Sequence, residues 1–146
     1  FTITDTNMTR FTITINEGIN FVTKCLKDML GGEIFIPKIN SYRLIDLVSA
    51  HSRTIKTKVI GIRPGEKIHE EMISINDAIN TVEYKNGYVI CPSSEFMQWD
   101  IEKYKKKIKG KSCAKNFTYT SDKNKFLTIN DLKKVLKNNI DDFELN

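Results

Sequence analysis

The chain has 146 residues, 40% of them hydrophobic, and a formal net charge of +5. That length is one ordinary domain or a piece of a larger protein, with enough apolar content for a core. No apolar run approaches the ~18 residues of a membrane helix and no signal peptide is visible, so this segment is expected to lack a membrane span.

The chain opens on Phe1-Thr2-Ile3-Thr4, already strand-like and without an initiating Met, and is expected to start inside a longer protein. Arg10 to Ile15 alternates like a strand. Thr14-Ile15-Asn16-Glu17 then has the spacing of a capping box, and Ile15, Ile19, Val22, Leu26 and Met29 recur at helical intervals until Gly31-Gly32 supplies a stop. Glu33 to Pro37 is a short continuous apolar strand of the kind buried in a parallel sheet. Ser41 is expected to cap a second helix, through Leu44, Ile45, Leu47 and Val48 to about His51.

A strand over Thr57 to Ile62 comes next. It runs into Arg63-Pro64-Gly65, a forced turn, and then into Glu66 to Ile73, where Ile68 and Met72 are spaced for a helix. Thr81 to Tyr84 and Tyr88 to Cys91 flank Lys85-Asn86-Gly87, which reads as a hairpin on its Asn-Gly pair and ends at Pro92. A polar turn at Thr120 to Asn124 precedes a last helix from about Thr128 to Asn139.

Charge is local. Seven lysines and no acid lie between Lys103 and Lys115, and the rest of the chain nets −2. With no interleaved arginines and only Tyr104 as an aromatic, this stretch reads as a solvated helix or loop, and no nucleic-acid partner is expected. Cys25, Cys91 and Cys113 form no CxxC pair, which argues against disulfides and zinc and for a reducing cytoplasm. His51 and His69 are the only histidines, so metal chemistry is not expected. Cys91 reads as a small core residue, since no base stands beside it in sequence.

The strand-to-turn junction is the chain's best candidate site. Arg63 stands at the carboxyl end of a strand, where its fork of donors suits a phosphate, assisted by the free N–H groups of the expected helix start. The alternative is a surface salt bridge with Glu66 or Glu70. Glu66 complements a helix dipole at the expected helix start, unless a ligand hydroxyl takes its lone pairs. Arg10 is either a second cation for the same ligand or a structural arginine tying a loop to a sheet, with Thr9 a weaker candidate. His69 reads as a capping or packing residue on the expected helix. Tyr119, Ser121 and Asn124 read as a turn whose side chains bond their own backbone.

Several separated motifs carry a family resemblance. They are Phe1-Thr2-Ile3-Thr4-Asp5 with Met8-Thr9-Arg10-Phe11, Gly31 to Lys38, Ile60 to Glu71, Tyr88-Val89-Ile90 with Pro92, and Tyr119-Thr120-Ser121-Asp122 with Asn124. Together they resemble the C-terminal part of the inverting UDP-N-acetylglucosamine 4,6-dehydratases of the extended short-chain dehydrogenase/reductase superfamily. Asn40, where the family tends to have proline, and Phe126, where it usually has tryptophan, depart mildly from the pattern. The Lys103 to Lys115 stretch matches poorly and looks like a variable surface connection.

The resemblance implies an α/β fold: the last Rossmann strand and helices over residues 1–55, completing a Rossmann domain, and a small substrate-binding lobe over 56–146. It implies an NADP-dependent lyase that binds a UDP-sugar and works as a homo-oligomer, making the first intermediate toward pseudaminic acid and related glycans. Arg63, Glu66, Arg10 and Thr9 are the substrate-binding residues it selects, with Arg63 implied to meet the diphosphate, Glu66 the ribose and Arg10 the diphosphate or the sugar. The glycine-rich loop and catalytic Tyr and Lys are implied to lie upstream of Phe1. The segment alone is therefore expected to be inactive, and poorly soluble once its partner surface is removed. A 4-epimerase of capsular polysaccharide synthesis and a non-enzymatic binding domain are the alternatives.

Overall fold

The structure, a computed structural model, describes residues 1–52, 54–92 and 99–140. Elements follow in the order β1 (Thr2–Ile3), β2 (Thr9–Phe11), α1 (Ile15–Asp28), β3 (Ile34–Pro37), β4 (Ser41–Arg43), α2 (Leu44–His51), β5 (Lys58–Val59), β6 (Glu71–Ile73), β7 (Thr81–Tyr84), β8 (Gly87–Ile90), α3 (Ile101–Ile108), β9 (Lys111–Ser112), β10 (Tyr119–Thr120) and α4 (Ile129–Asn139). Short 3-10 turns lie at Ala78–Asn80 and Ser121–Lys123. The class is α/β, with parallel and antiparallel pairs both present. Contacts divide the chain into two compact units that interleave along the sequence: Phe1–Thr14, Ile39–Glu70 and Thr120–Asn146 form one, Ile15–Lys38 and Glu71–Tyr119 the other.

In the first unit β1 runs parallel to β5, and β2 pairs antiparallel with β4, placing Thr9 opposite Arg43 and Phe11 opposite Ser41. Helices α2 and α4 pack together, burying Val48, Ala50 and Leu132. Helix α4 starts on a capping box: the Thr128 hydroxyl accepts the Asp131 N–H and the Asp131 carboxylate accepts the Thr128 N–H. Ser41 does not cap α2, whose N-cap position is Arg43 with no side-chain capping bond. Instead Ser41 is fully buried in β4, donating its N–H to the Lys125 carbonyl while its own carbonyl accepts Leu127 N–H.

The second unit is built on a four-stranded antiparallel sheet in the order β3-β8-β7-β9. Strand β3 thus departs from the expected parallel setting. Its alternate residues face two different layers: Phe35 stands in register with Val89 and Val82, and Ile36 with Tyr88 and Glu83. On one side Val82, Val89 and Cys91 close over Tyr104 of α3, with Trp99, Ile101 and Ile108 around them. Around Tyr88, the Phe117 and Tyr119 rings pack at 5.1 Å each. Lys38 and Lys111 pair with Glu83 and hold its carboxyl below the usual carboxylate range.

The lysine-rich stretch therefore contributes a helix anchored by a buried tyrosine and an edge strand. Asp100 caps α3 by accepting Lys103 N–H, and Lys109 closes it in the left-handed conformation. The hairpin turn also differs from the Asn-Gly reading. Lys85 and Asn86 form the two-residue loop, and Gly87 is already the first residue of β8, paired with Tyr84. Glycine is required there by approach: a Cβ would lie 2.3 Å from the Ile36 carbonyl oxygen. Helix α1 ends near the expected glycines, Gly31 and Gly32 both at positive φ, with the Glu33 carboxylate accepting Gly31 N–H.

Burial gives this unit a predictable alkaline weakness. It pushes the Cys91 thiol from its ordinary 9.0 up to about 11, with the Glu33 carboxylate adding to the effect. Tyr84 and Tyr88 are each raised from 10.0 to about 12, burial again first, and Tyr104 is raised by burial too. All four are neutral acids that the folded state keeps protonated more firmly than the unfolded state does. Their contribution is complete below pH ~9 and is lost as pH rises through 9 to 12. The urea midpoint of this chain is expected to hold between pH 7 and 8.5 and to fall steadily from pH 9 to 11; a midpoint flat to pH 11 would contradict the packing described.

Candidate functional site

All four sequence-predicted site residues lie in the first unit. Strand β5 is shorter than expected, and the chain leaves it without regular structure, Gly61 at φ 85°, until Arg63. Residues Arg63, Pro64, Gly65 and Glu66 then form a turn closed by a 3.0 Å bond from Glu66 N–H to the Arg63 carbonyl, with Gly65 at φ 81°. Proline second and a positive-φ glycine third are what a type II turn demands. The Glu66 side chain closes the turn a second time, its Oε2 accepting Arg63 N–H at 3.1 Å. Its Oε1 accepts the Thr4 hydroxyl at 3.2 Å.

No helix follows the turn. The helical spacing of Ile68 and Met72 is overridden because the intervening carbonyls have other partners: Ile68 O accepts Thr9 N–H at 3.0 Å, and Glu70 O accepts Ser121 N–H at 2.8 Å. Arg10 completes this capture. Its guanidinium donates to the carbonyls of Thr9, Ile68 and Lys67 at 2.7, 3.1 and 3.0 Å, and its Nε lies 3.2 Å from the Glu70 carboxylate. The assistance expected from helix N–H groups is therefore absent, and His69 is not on a helix.

Thr9 is 3% exposed and its hydroxyl sits between two side chains, 2.8 Å from His69 Nδ1 and 2.6 Å from Ser121 Oγ. Ser121 is fully buried; its Oγ accepts Glu70 N–H at 2.9 Å and lies 3.2 Å from the Thr9 carbonyl. Asn124 donates to the Ile39 carbonyl and the Ser41 hydroxyl. Ser121 and Asn124 thus bond distant segments and not their own turn. Tyr119 and Lys123 stand at Tyr-x-x-x-Lys spacing, which makes two side chains direct neighbours when both lie in one α-helix. Here Tyr119 is in strand β10 and Lys123 in a 3-10 turn.

The geometry separates the two arginines. Arg10 has all three guanidinium nitrogens engaged and its charge offset by Glu70, the structural arrangement of the two considered above. Arg63 is exposed, and among the described residues its guanidinium has no hydrogen bond or ion pair. Neither Glu66 nor Glu70 takes it, since one carboxylate holds backbone and Thr4 and the other holds Arg10. The result is a free, planar cation on a turn fixed twice over. No group of three or more metal-ligating side chains occurs among the described residues, and no described helix is long and apolar enough to cross a membrane.

A family profile described as polysaccharide biosynthesis protein matches residues 1–92, a stretch that contains Thr4, Thr9, Arg10, Arg63 and Glu66. The chain belongs to that family. An inverting UDP-N-acetylglucosamine 4,6-dehydratase of Campylobacter jejuni is 45% identical over 124 residues, which cover 84% of this chain and 37% of the dehydratase. A UDP-glucose 4-epimerase of Rickettsia canadensis is 27% identical over 140 residues, 92% of this chain and 40% of the epimerase. The X-ray structure of Pen from Bacillus thuringiensis matches with a TM-score of 0.75 at 25% identity, covering 94% of this chain and 39% of Pen. This polysaccharide-biosynthesis chain thus spans well under half the length of each.

The knot around Ser121 makes a direct test of the site's framework. Ser121→Ala leaves the part-buried Glu70 N–H without this partner and removes one partner of the buried Thr9 hydroxyl, so the chain is expected to lose about 1–3 kcal/mol of stability. Denaturant melts of the two chains measure it, and equal midpoints would deny the knot its structural role.

Proposed function

We propose that the full-length protein is an NADP-dependent, C5-inverting UDP-N-acetylglucosamine 4,6-dehydratase serving pseudaminic acid or other surface-glycan synthesis, and that this chain is its nucleotide-sugar-binding C-terminal part. The observation that carries the reading is the 45% identity to an inverting dehydratase over 84% of the chain, an overlap long enough to take in Arg63 and Glu66. The site chemistry supports it. A guanidinium without a partner among the described residues, on a rigid turn, suits the two oxygens of a diphosphate, and a carboxylate three residues on has lone pairs left for ribose hydroxyls.

In this reading each residue has a distinct duty. Arg63 pairs with the diphosphate, Glu66 accepts from the ribose, and Arg10 and Thr9 hold the backbone that follows the turn against strand β2. Binding at the nucleotide fixes the sugar at a distance from the contact, so that orientation is set before any bond changes. No Gly-x-Gly-x-x-Gly loop occurs in the sequence, and the positive-φ glycines Gly31, Gly32, Gly61 and Gly65 lie at none of the described helix starts. NADP is assigned to residues outside this chain, and no chemical step is routed through the ones within it.

Residues 1–55 are proposed to complete the nucleotide-binding domain and 56–146 to form the substrate lobe. Helix α1 supports the first assignment. Ile15, Ile19, Val22 and Leu26 recur along it and are 82%, 58%, 56% and 65% exposed, an apolar stripe that gains about 1.5–3 kcal/mol per side chain when covered. The three free cysteines, in no pair, fit a cytoplasmic enzyme. Likeness to the epimerase over 92% of the chain keeps a 4-epimerase as the second reading. Purified full-length protein given UDP-N-acetylglucosamine is expected to yield a 6-deoxy-4-keto product lighter by one water. A product of unchanged mass and galacto configuration would overturn the dehydratase reading in favour of the epimerase.

A further inference from the structure

Thr4 follows strand β1 directly and is 8% exposed, a hydroxyl in an otherwise inward-facing position beside the apolar Ile3. Its hydroxyl donates to Oε1 of Glu66, 62 residues away in sequence, at 3.2 Å. The other oxygen, Oε2, accepts Arg63 N–H at 3.1 Å. One carboxylate is therefore held at both oxygens by donors from two separate segments. Held at Oε2 alone, it would still be free to swing its second oxygen about the terminal side-chain torsion, a broad and soft rotation. With Thr4 in place that torsion is set.

Each carboxylate oxygen has about two acceptor sites, and each has one in use. What remains is one acceptor per oxygen, in a fixed plane, a pair suited to two neighbouring hydroxyls such as the 2′,3′-diol of a ribose. We propose that Thr4 is a positioning residue for nucleotide specificity: by fixing the Glu66 carboxylate it makes the site select ribonucleotide diphosphate sugars over their 2′-deoxy counterparts. This rests on the assignment of Glu66 to the ribose. A site built to bond a hydroxyl discriminates against the analogue that lacks it, because the site's own polar group is then left unpaired. Arg63 has no part in that choice, since both nucleotides carry the same diphosphate.

The test uses the full-length protein and isothermal titration with UDP and 2′-deoxy-UDP. In the unaltered protein UDP binds more tightly. Thr4→Val, close in shape and without the hydroxyl, is expected to lower the UDP to 2′-deoxy-UDP affinity ratio about 2- to 10-fold, less than the full worth of a hydrogen bond to a charged group because Oε2 stays held, and Thr4→Ser to restore it. A ratio unchanged in Thr4→Val, including the case where both affinities fall together, overturns the proposal, because a merely structural role moves both nucleotides alike. Where Thr4→Val does not fold, Thr4→Ala carries the same comparison. Glu66→Gln separates the two levels: an unchanged ratio there removes the ribose assignment itself, whereas a ratio lost in Glu66→Gln and kept in Thr4→Val removes the role of Thr4 alone.

Discussion

The first unit depends on the capture of the backbone between Lys67 and Glu70. The helical spacing of Ile68 and Met72 does not prevail because Arg10, the Thr9 N–H and the Ser121 N–H claim the carbonyls of Lys67, Ile68 and Glu70. Each bond contributes modestly, about 0.5–1.5 kcal/mol net, and more where the guanidinium is the donor. Together they outweigh helix propensity, which amounts to a few tenths of a kcal/mol per residue. The consequence reaches the turn before them. With its exit fixed, the Arg63 turn cannot rewind into a helix, and its two closures by Glu66 act on a backbone that is already placed.

How much of this was legible in the sequence follows from the range of each interaction. Helices α1 and α4 were readable because apolar spacing, caps and glycine stops are local. The turn at Pro64-Gly65 was readable for the same reason. The stretch after it was not: the partners that decide it, Thr9, Arg10 and Ser121, are some 50 to 60 residues away on either side, and no periodicity encodes them. Strand β3 shows the same limit. Its unbroken apolar run suggested a parallel sheet, yet its neighbour is the antiparallel β8, whose Gly87 admits the close approach of Ile36.

The site divides along similar lines. Arg63 and Glu66 were selected by residue type at a strand-to-turn junction, and the structure keeps them on one turn. Thr4 and Ser121 were present in the motifs but gave no signal of their own, since a hydroxyl in a strand or turn reads as local hydrogen bonding. Only the fold shows that each bonds a carboxylate or a backbone group far along the chain. The two units, each taken alone, also differ in kind: one is organised by polar bonds around a turn, the other by an apolar sheet whose tyrosines and thiol are pressed toward their neutral forms.

The claim at the centre is that the Arg63 turn is a diphosphate clamp. Titration of UDP into full-length protein carrying Arg63→Ala tests it most directly. The account predicts a loss of about 1.5–3 kcal/mol in UDP affinity, the range for a hydrogen bond to a charged group, with no change in thermal stability because Arg63 supports nothing else among the described residues. An unchanged UDP affinity would contradict it.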